Sequence, residues 1–194
     1  GLTLKNPVMS QSELDRALEV WHRNDLPVDI SESMPLWLWS LGKEELGERW
    51  DHLVAAMNKP AIVYLRVNTL KTSKDHLIDS LQQDGIFAED VESLPTAVFL
   101  PERKNVFGTS SFKKGEFEVQ DGGSQRVAPL VQSEPGFRVV DACAGGGGKT
   151  LHLATLMRNK GKIISMDVME RKLQSLKKRV ARAGVDIVEP RKID

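Results

Sequence analysis

The residues best suited to chemistry lie together in Asp141-Ala142-Cys143-Ala144-Gly145-Gly146-Gly147-Gly148-Lys149-Thr150. Four successive glycines let a backbone approach a ligand without Cβ clashes. A helix starting at their end adds unpaired N–H groups and the positive end of its dipole. A tight turn alone needs one or two glycines, so the run predicts a ligand loop. Its candidate contact residues are Cys143, Ala144, Gly145, Gly146, Gly147, Gly148 and Lys149. Three ligands are open. A phosphate loop ends in Gly-Lys-Thr, as here, but needs a glycine where Cys143 stands. A dinucleotide loop G-x-G-x-x-G begun at Gly145 ends on Thr150 instead of glycine. S-adenosylmethionine has no phosphate; its ribose hydroxyls favour an acid at the end of the next strand, and its amino-acid end can sit on loop N–H groups. Asp167 stands at such a position, after Ile163-Ile164-Ser165-Met166. An acid there serves a nicotinamide ribose equally, so Asp167 alone does not separate the last two.

The elements that must position these residues can be read outward from the loop. Phe137–Ala142 is a short apolar run bounded by Pro135-Gly136 and the glycines, as a buried parallel strand should be. A helix is predicted from Thr150 to about Arg158, a strand over 162–167, a helix from about Glu170 to Ala183 closed by Gly184, and a third strand from Val185 to Val188. Strand–helix–strand–helix–strand predicts a doubly wound α/β sheet. Upstream, Phe117–Gln120 reads as a strand, and Asp121 or Ser124 can cap a helix from about Gln125 to Gln132. Residues 61–70 and 97–100 read as strands around a helix from about Ser73 to Asp84, followed by a polar loop with Phe107 and Phe112. The first 60 residues are helical. Ser10 and Ser12 with Glu13 and Asp15 predict a helix start that runs to about Asn24, and apolar residues from Pro35 to Met57 recur at helical spacing with breaks expected near Gly42 and Gly47. All four Trp fall in that region, and core packing is the expected role for them. Three segments follow: 1–60 helical, 61–114 a small α+β module, and 115–194 the start of the parallel sheet.

Composition narrows the class. With 40% hydrophobic and 28% charged residues the chain is expected to fold into a globular α/β protein rather than remain disordered. The 27 Lys+Arg balance the 27 Asp+Glu, although residues 1–115 hold 13 basic and 17 acidic side chains, leaving 14 and 10 in 116–194. One cysteine forms no internal disulfide, and no apolar run approaches the ~18 residues of a membrane helix. No membrane role and a cytoplasmic location are expected. None of the four histidines is paired with Cys, Asp or His at metal spacing, so no metal is expected. Gly1 in place of an initiating Met suggests trimmed ends.

The glycine loop resembles the D-x-C-A-A-P-G-G-K-T motif of the RsmB/Sun family of RNA cytosine-C5 methyltransferases, with Gly145-Gly146 where that family typically has Ala-Pro. Phe117-Glu118-Val119-Gln120-Asp121-Gly122-Gly123-Ser124-Gln125 is similar to the family's motif before the cofactor strand, and Arg66-Val67-Asn68-Thr69-Leu70-Lys71 to its N-terminal R-V-N-T-L-K motif. Lys172-Leu173 and Arg182-Ala183-Gly184 follow the family's R-L and R-L-G spacing, with Lys172 and Ala183 as departures. The resemblance spans nearly the whole chain. It implies S-adenosylmethionine as cofactor, Asp167 on the ribose and Asp194 near the adenine. It implies RNA, most of all ribosomal RNA, as partner, and associates Arg66, Asn68 and Lys71 with RNA recognition.

The resemblance also implies two cysteines beyond the third strand of the sheet, one adding to C6 of cytosine so that C5 can take the methyl group, the other resolving the adduct. Cys143 matches neither; its expected role is that of a small, half-buried residue at a strand end. No catalytic residue is therefore assigned within 1–194, and the chain is expected to stop before the catalytic half and to be inactive alone. The run 138–142 would then be an exposed apolar sheet edge prone to pair with another chain. The basic run Arg171, Lys172, Lys177, Lys178, Arg179, Arg182 is expected to be a solvated helix face. A non-catalytic RNA-binding protein of the same fold is the alternative, and a nucleotide hydrolase a more distant one.

Overall fold

The computed structural model describes residues 10–21 and 26–194. Reciprocal capping starts the first helix: the Ser10 N–H donates to Glu13 Oε2 at 2.7 Å, and Ser10 Oγ accepts from the Glu13 N–H at 3.3 Å. That helix is α1 (Gln11–Trp21), and the expected extension to Asn24 lies outside the described residues. The short α2 (Val28–Ser31), α3 (Leu36–Leu46) and α4 (Glu48–Met57) follow. The expected break near Gly42 does not occur. Gly42 lies inside α3, where the lack of a side chain admits the Trp50 indole; a Cβ there would stand 2.2 Å from Trp50 Cε2. The break falls at Gly47 alone (φ +56°). Met34, Trp50 and Val54 form the core of this unit with Trp39 edge-on to Trp50, whereas Trp37 is 68% exposed, against the expectation that the tryptophans pack.

The chain divides into two compact units, 1–61 and 62–194. In the second, alternation builds two sheets. β1 (Val63–Val67) lies between β3 (Ala97–Leu100) and β4 (Phe117–Val119), antiparallel to both, and the two-residue β2 (Glu89–Asp90) pairs outside β3. α5 (Lys74–Gln83) is capped by Ser73, whose Oγ accepts from the His76 N–H, and places Leu77 and Leu81 in a core with Leu65, Val67, Val98, Leu100 and Phe117. The expected polar loop contains a further helix, α6 (Ser110–Lys114), capped by Thr109. Five residues show no periodicity to read. The boundary expected at 115 also differs from the pairing: Glu118 stands opposite Arg66, so β4 completes the first sheet instead of opening the second.

The helix expected over 125–132 is two short turns, α7 (Gly122–Gln125) and α8 (Val127–Leu130). Pro129 has no N–H to return to Gln125, so one continuous helix there would lose a hydrogen bond. The second sheet is parallel in the order β5 (Arg138–Asp141), β6 (Lys162–Asp167), β7 (Val188–Lys192), with α9 (Gly148–Leu156) and α10 (Glu170–Ala183) as crossovers. β7 begins at Val188 rather than Val185, because Val185 is buried and its N–H closes the end of α10 on Val180 O at 3.1 Å. Leu151, Leu153, Ala154, Met157, Ile163 and Ala183 form the core between helices and strands. Among the described residues β5 pairs with β6 alone, and Val140 on it is 55% exposed.

Candidate functional site

The glycine loop joins the end of β5 to the start of α9, and three anchors fix it. Asp141 Oδ2, at the end of β5, accepts from Thr150 Oγ1 at 2.7 Å in the first turn of α9. The Ala144 N–H donates to Met166 O at 2.9 Å, and Ala144 packs with Leu173 and Leu176 of α10. The Gly145 N–H donates to Asp167 Oδ2 at 2.9 Å. The acid at the end of β6 thus lies directly against the bend, as the sequence spacing requires of a shared site.

Asp167 is 8% exposed, and its other oxygen accepts from the Met169 N–H at 2.8 Å. The Met169 bond holds its carboxyl below the usual carboxylate range. Burial opposes this, while the Gly145 bond and the charge of Lys172 add to it. An ionised carboxylate has about four acceptor positions, so two remain for a ligand's hydroxyls. In the loop, Gly147 (φ +87°) donates its N–H to Ala144 O at 2.8 Å, and a Cβ on it would stand 2.1 Å from Leu176 Cδ1. Only glycine fits there. The N–H groups of Gly146 and Gly148 have no partner among the described residues, which leaves them for a ligand.

Cys143 is exposed rather than half-buried, Lys149 is exposed, and Asp194 is exposed one residue past Ile193, whose N–H donates to Asp167 O at 3.3 Å. Thr150 is fully buried with its hydroxyl committed to Asp141. A phosphate loop needs that hydroxyl free for a magnesium ion, so the arrangement suits a nucleoside without phosphates. No group of three or more His, Cys, Asp or Glu that could hold a metal occurs among the described residues.

The residues expected to touch RNA lie elsewhere than expected. Arg66 is 1% exposed, with Nε donating to Gln120 Oε1 at 2.7 Å; burial lowers its pKa to about 10, partly offset by Glu118. Asn68 is 2% exposed and donates to Gly115 O at 2.8 Å and Ala183 O at 2.9 Å. Lys71 Nζ donates to Lys114 O at 2.7 Å and Arg182 O at 2.8 Å. Arg66 and Asn68 are turned inward, and the Asn68 and Lys71 donors tie the first sheet and α6 to the end of α10. Two of the three, Arg66 and Asn68, do not face solvent, whereas Lys71 is exposed.

Sequence reasoning missed an ionic knot. Glu118, its side chain 5% exposed, accepts from Arg179 Nη2 at 2.8 Å and Nε at 3.0 Å and pairs with Arg182, whose guanidinium lies 3.8 Å from the centre of the Phe112 ring. Arg179 Nη1 also donates to Gly146 O at 2.7 Å. Arg171, Lys172, Lys177 and Lys178 are exposed, as a solvated face predicts, but Arg179 and Arg182 turn inward. The 61-residue separation of Arg179 and Glu118 hides the pairing from any local pattern.

Comparison with known proteins matches residues 34–107 to the ferredoxin-like domain of RsmF/B-like methyltransferases and residues 128–193 to the 16S rRNA methyltransferase RsmB/F family. The chain is 35% identical over 130 residues to the probable ribosomal RNA small subunit methyltransferase B of Bacillus subtilis strain 168, a match covering 67% of this chain and 29% of that protein. It is 30% identical over 184 residues to ribosomal RNA small subunit methyltransferase B of Pseudomonas syringae pv. tomato, covering 94% of this chain and 41% of that protein. The crystal structure of PH0851 superposes with a TM-score of 0.80 at 33% identity, over 91% of this chain and 42% of that one. The chain spans less than half the length of these relatives.

Proposed function

The chain belongs to the RsmB/F family of methyltransferases, and from that premise we propose that it carries the cofactor-binding part of a ribosomal RNA cytosine-C5 methyltransferase. The methyl donor is S-adenosylmethionine. The observation that carries this reading is the hydrogen bond from the Gly145 N–H to Asp167, which brings the polyglycine bend and an ionised acid into one site. Asp167 receives the ribose hydroxyls on its remaining acceptor positions. The Gly146 and Gly148 amides, at the positive end of α9, take the amino-acid carboxylate. Cys143, Ala144, Gly147 and Lys149 line the approach, and Asp194 lies toward the adenine.

When bound, the sulfonium supplies an electrophilic methyl group; this chain's residues bind and orient it. Cys143, the one cysteine of residues 1–194, is assigned neither as the thiolate that adds to C6 of cytosine nor as the cysteine that resolves the adduct, so these residues alone are proposed not to turn over. RNA contact falls to exposed cations, Lys177 and Lys178 among them, rather than to Arg66 and Asn68. With no partner on its second edge among the described residues, β5 supports self-association of this chain. No helix among the described residues is long and apolar enough to cross a membrane, and the enzyme is proposed to work in the cytoplasm. The test is transfer of labelled methyl from S-adenosylmethionine to unmodified small-subunit ribosomal RNA. A full-length relative should transfer to cytosine and residues 1–194 should not; transfer by the 194-residue chain would overturn the division of labour.

A further inference from the structure

Four consecutive glycines are an expensive way to build a precise loop. Each loses more conformational freedom on ordering than any other residue. The related motif has Ala-Pro where this chain has Gly145-Gly146, and proline would fix one backbone angle outright. Here the constraint comes from outside the loop. The peptide joining Gly146 to Gly147 is held at both of its polar atoms: its carbonyl accepts from Arg179 Nη1 at 2.7 Å, and its N–H donates to Ala144 O at 2.8 Å. A planar peptide fixed at both ends has one orientation. That orientation leaves the Gly146 and Gly148 amides without partners among the described residues.

Arg179 is itself prevented from swinging. Its Nε and Nη2 both reach Glu118 Oε2, at 3.0 and 2.8 Å, and β4 holds Glu118 opposite Arg66 in the first sheet. Arg182 secures the same carboxylate without touching the loop. A Cβ at 146 would stand 3.2 Å from Arg179 Nη1, close enough that the guanidinium would have to give by a few tenths of an ångström. We propose that Arg179, backed by Glu118, is a positioning residue that sets the glycine loop in its ligand-ready shape and ties that shape to the first sheet. The proposal deepens the donor-loop reading and rests on it for the ligand, but not for the loop's order.

The test compares Arg179→Ala, Arg179→Lys and Arg182→Ala by hydrogen exchange of the peptide spanning 142–150, with the β6 amides as internal control, and by titration with S-adenosylmethionine. Losing a charge-assisted hydrogen bond corresponds to about a tenfold change or more. Arg179→Ala should speed loop exchange about tenfold while β6 stays protected. Arg179→Lys should restore part of that protection, and Arg182→Ala should leave the loop as in the parent. Affinity for S-adenosylmethionine should fall in the same order. Loop exchange that rises without any variant or the parent binding S-adenosylmethionine supports the clamp and refutes the donor reading. Loop exchange unchanged in Arg179→Ala, or raised equally by Arg182→Ala, overturns the proposal.

Discussion

Replacing Gly147 by alanine puts two separate costs on one atom. The residue sits at φ +87°, and an L-residue there loses about 1–2 kcal/mol. The new Cβ would also stand 2.1 Å from Leu176 Cδ1 and 3.3 Å from Cγ, and Leu176 is fully buried. Overpacking of that kind costs about 1–3 kcal/mol. Gly147→Ala should therefore cost about 2–5 kcal/mol, a large share of the ~5–15 kcal/mol that holds a domain together. Gly145 is the built-in comparison: its φ is +55°, but a Cβ there meets nothing within 4 Å. Gly145→Ala should cost only the conformational ~1–2 kcal/mol. Urea unfolding at unchanged slope measures both. Leu176→Ala opens the space that the Cβ needs, so in that background Gly147→Ala should cost no more than Gly145→Ala does. Equal costs at 145 and 147 in the parent, or strict additivity of Gly147→Ala with Leu176→Ala, would refute the packing argument.

Further outcomes follow from the same structure. Asn68→Ala removes both donors from buried carbonyls of Gly115 and Ala183 and should cost about 2–3 kcal/mol in urea unfolding, with no direct change in RNA affinity of the folded protein. Burial and the Arg66 charge push His152 down to about 3, so below its ordinary value near 6.5 the unfolded chain takes up the proton first and stability falls as pH falls. Between pH 6 and 5, before the carboxylates titrate, the slope should reach at most about 1.4 kcal/mol per pH unit and be flat in His152→Gln; an unchanged slope in that variant contradicts the assignment. Val140→Lys on the open β5 edge should shift light-scattering mass toward monomer at high concentration, and parent protein that is monomeric throughout would exclude edge pairing.

The glycine loop was legible because its signals are local. Four glycines, an apolar strand before them and an acid closing the next strand lie within 30 residues, and β5, α9, β6 and α10 follow from that stretch. The first sheet was harder. Phe117–Gln120 reads as a strand but says nothing about its partner, and only its register against Leu65, Arg66 and Val67 assigns it to β1. Arg66, Asn68 and Lys71 misled for a related reason: polar residue types suggest a surface, but two of these side chains are buried and the Asn68 and Lys71 donors are spent on backbone carbonyls from distant segments. Glu118 and Arg179 carried no signal at all, since acids and arginines are common on solvated faces and only the fold brings this pair together.

The most direct measurement of the central claim is amide chemical-shift mapping of the isotope-labelled chain titrated with S-adenosylmethionine and, separately, with ATP. Saturable shifts at residues 143–149 and around Asp167 with S-adenosylmethionine, absent in Asp167→Ala and not produced by ATP, are the predicted result. Shifts at those amides with ATP alone, or a bound nucleoside whose shifts leave the glycine loop untouched, would contradict it.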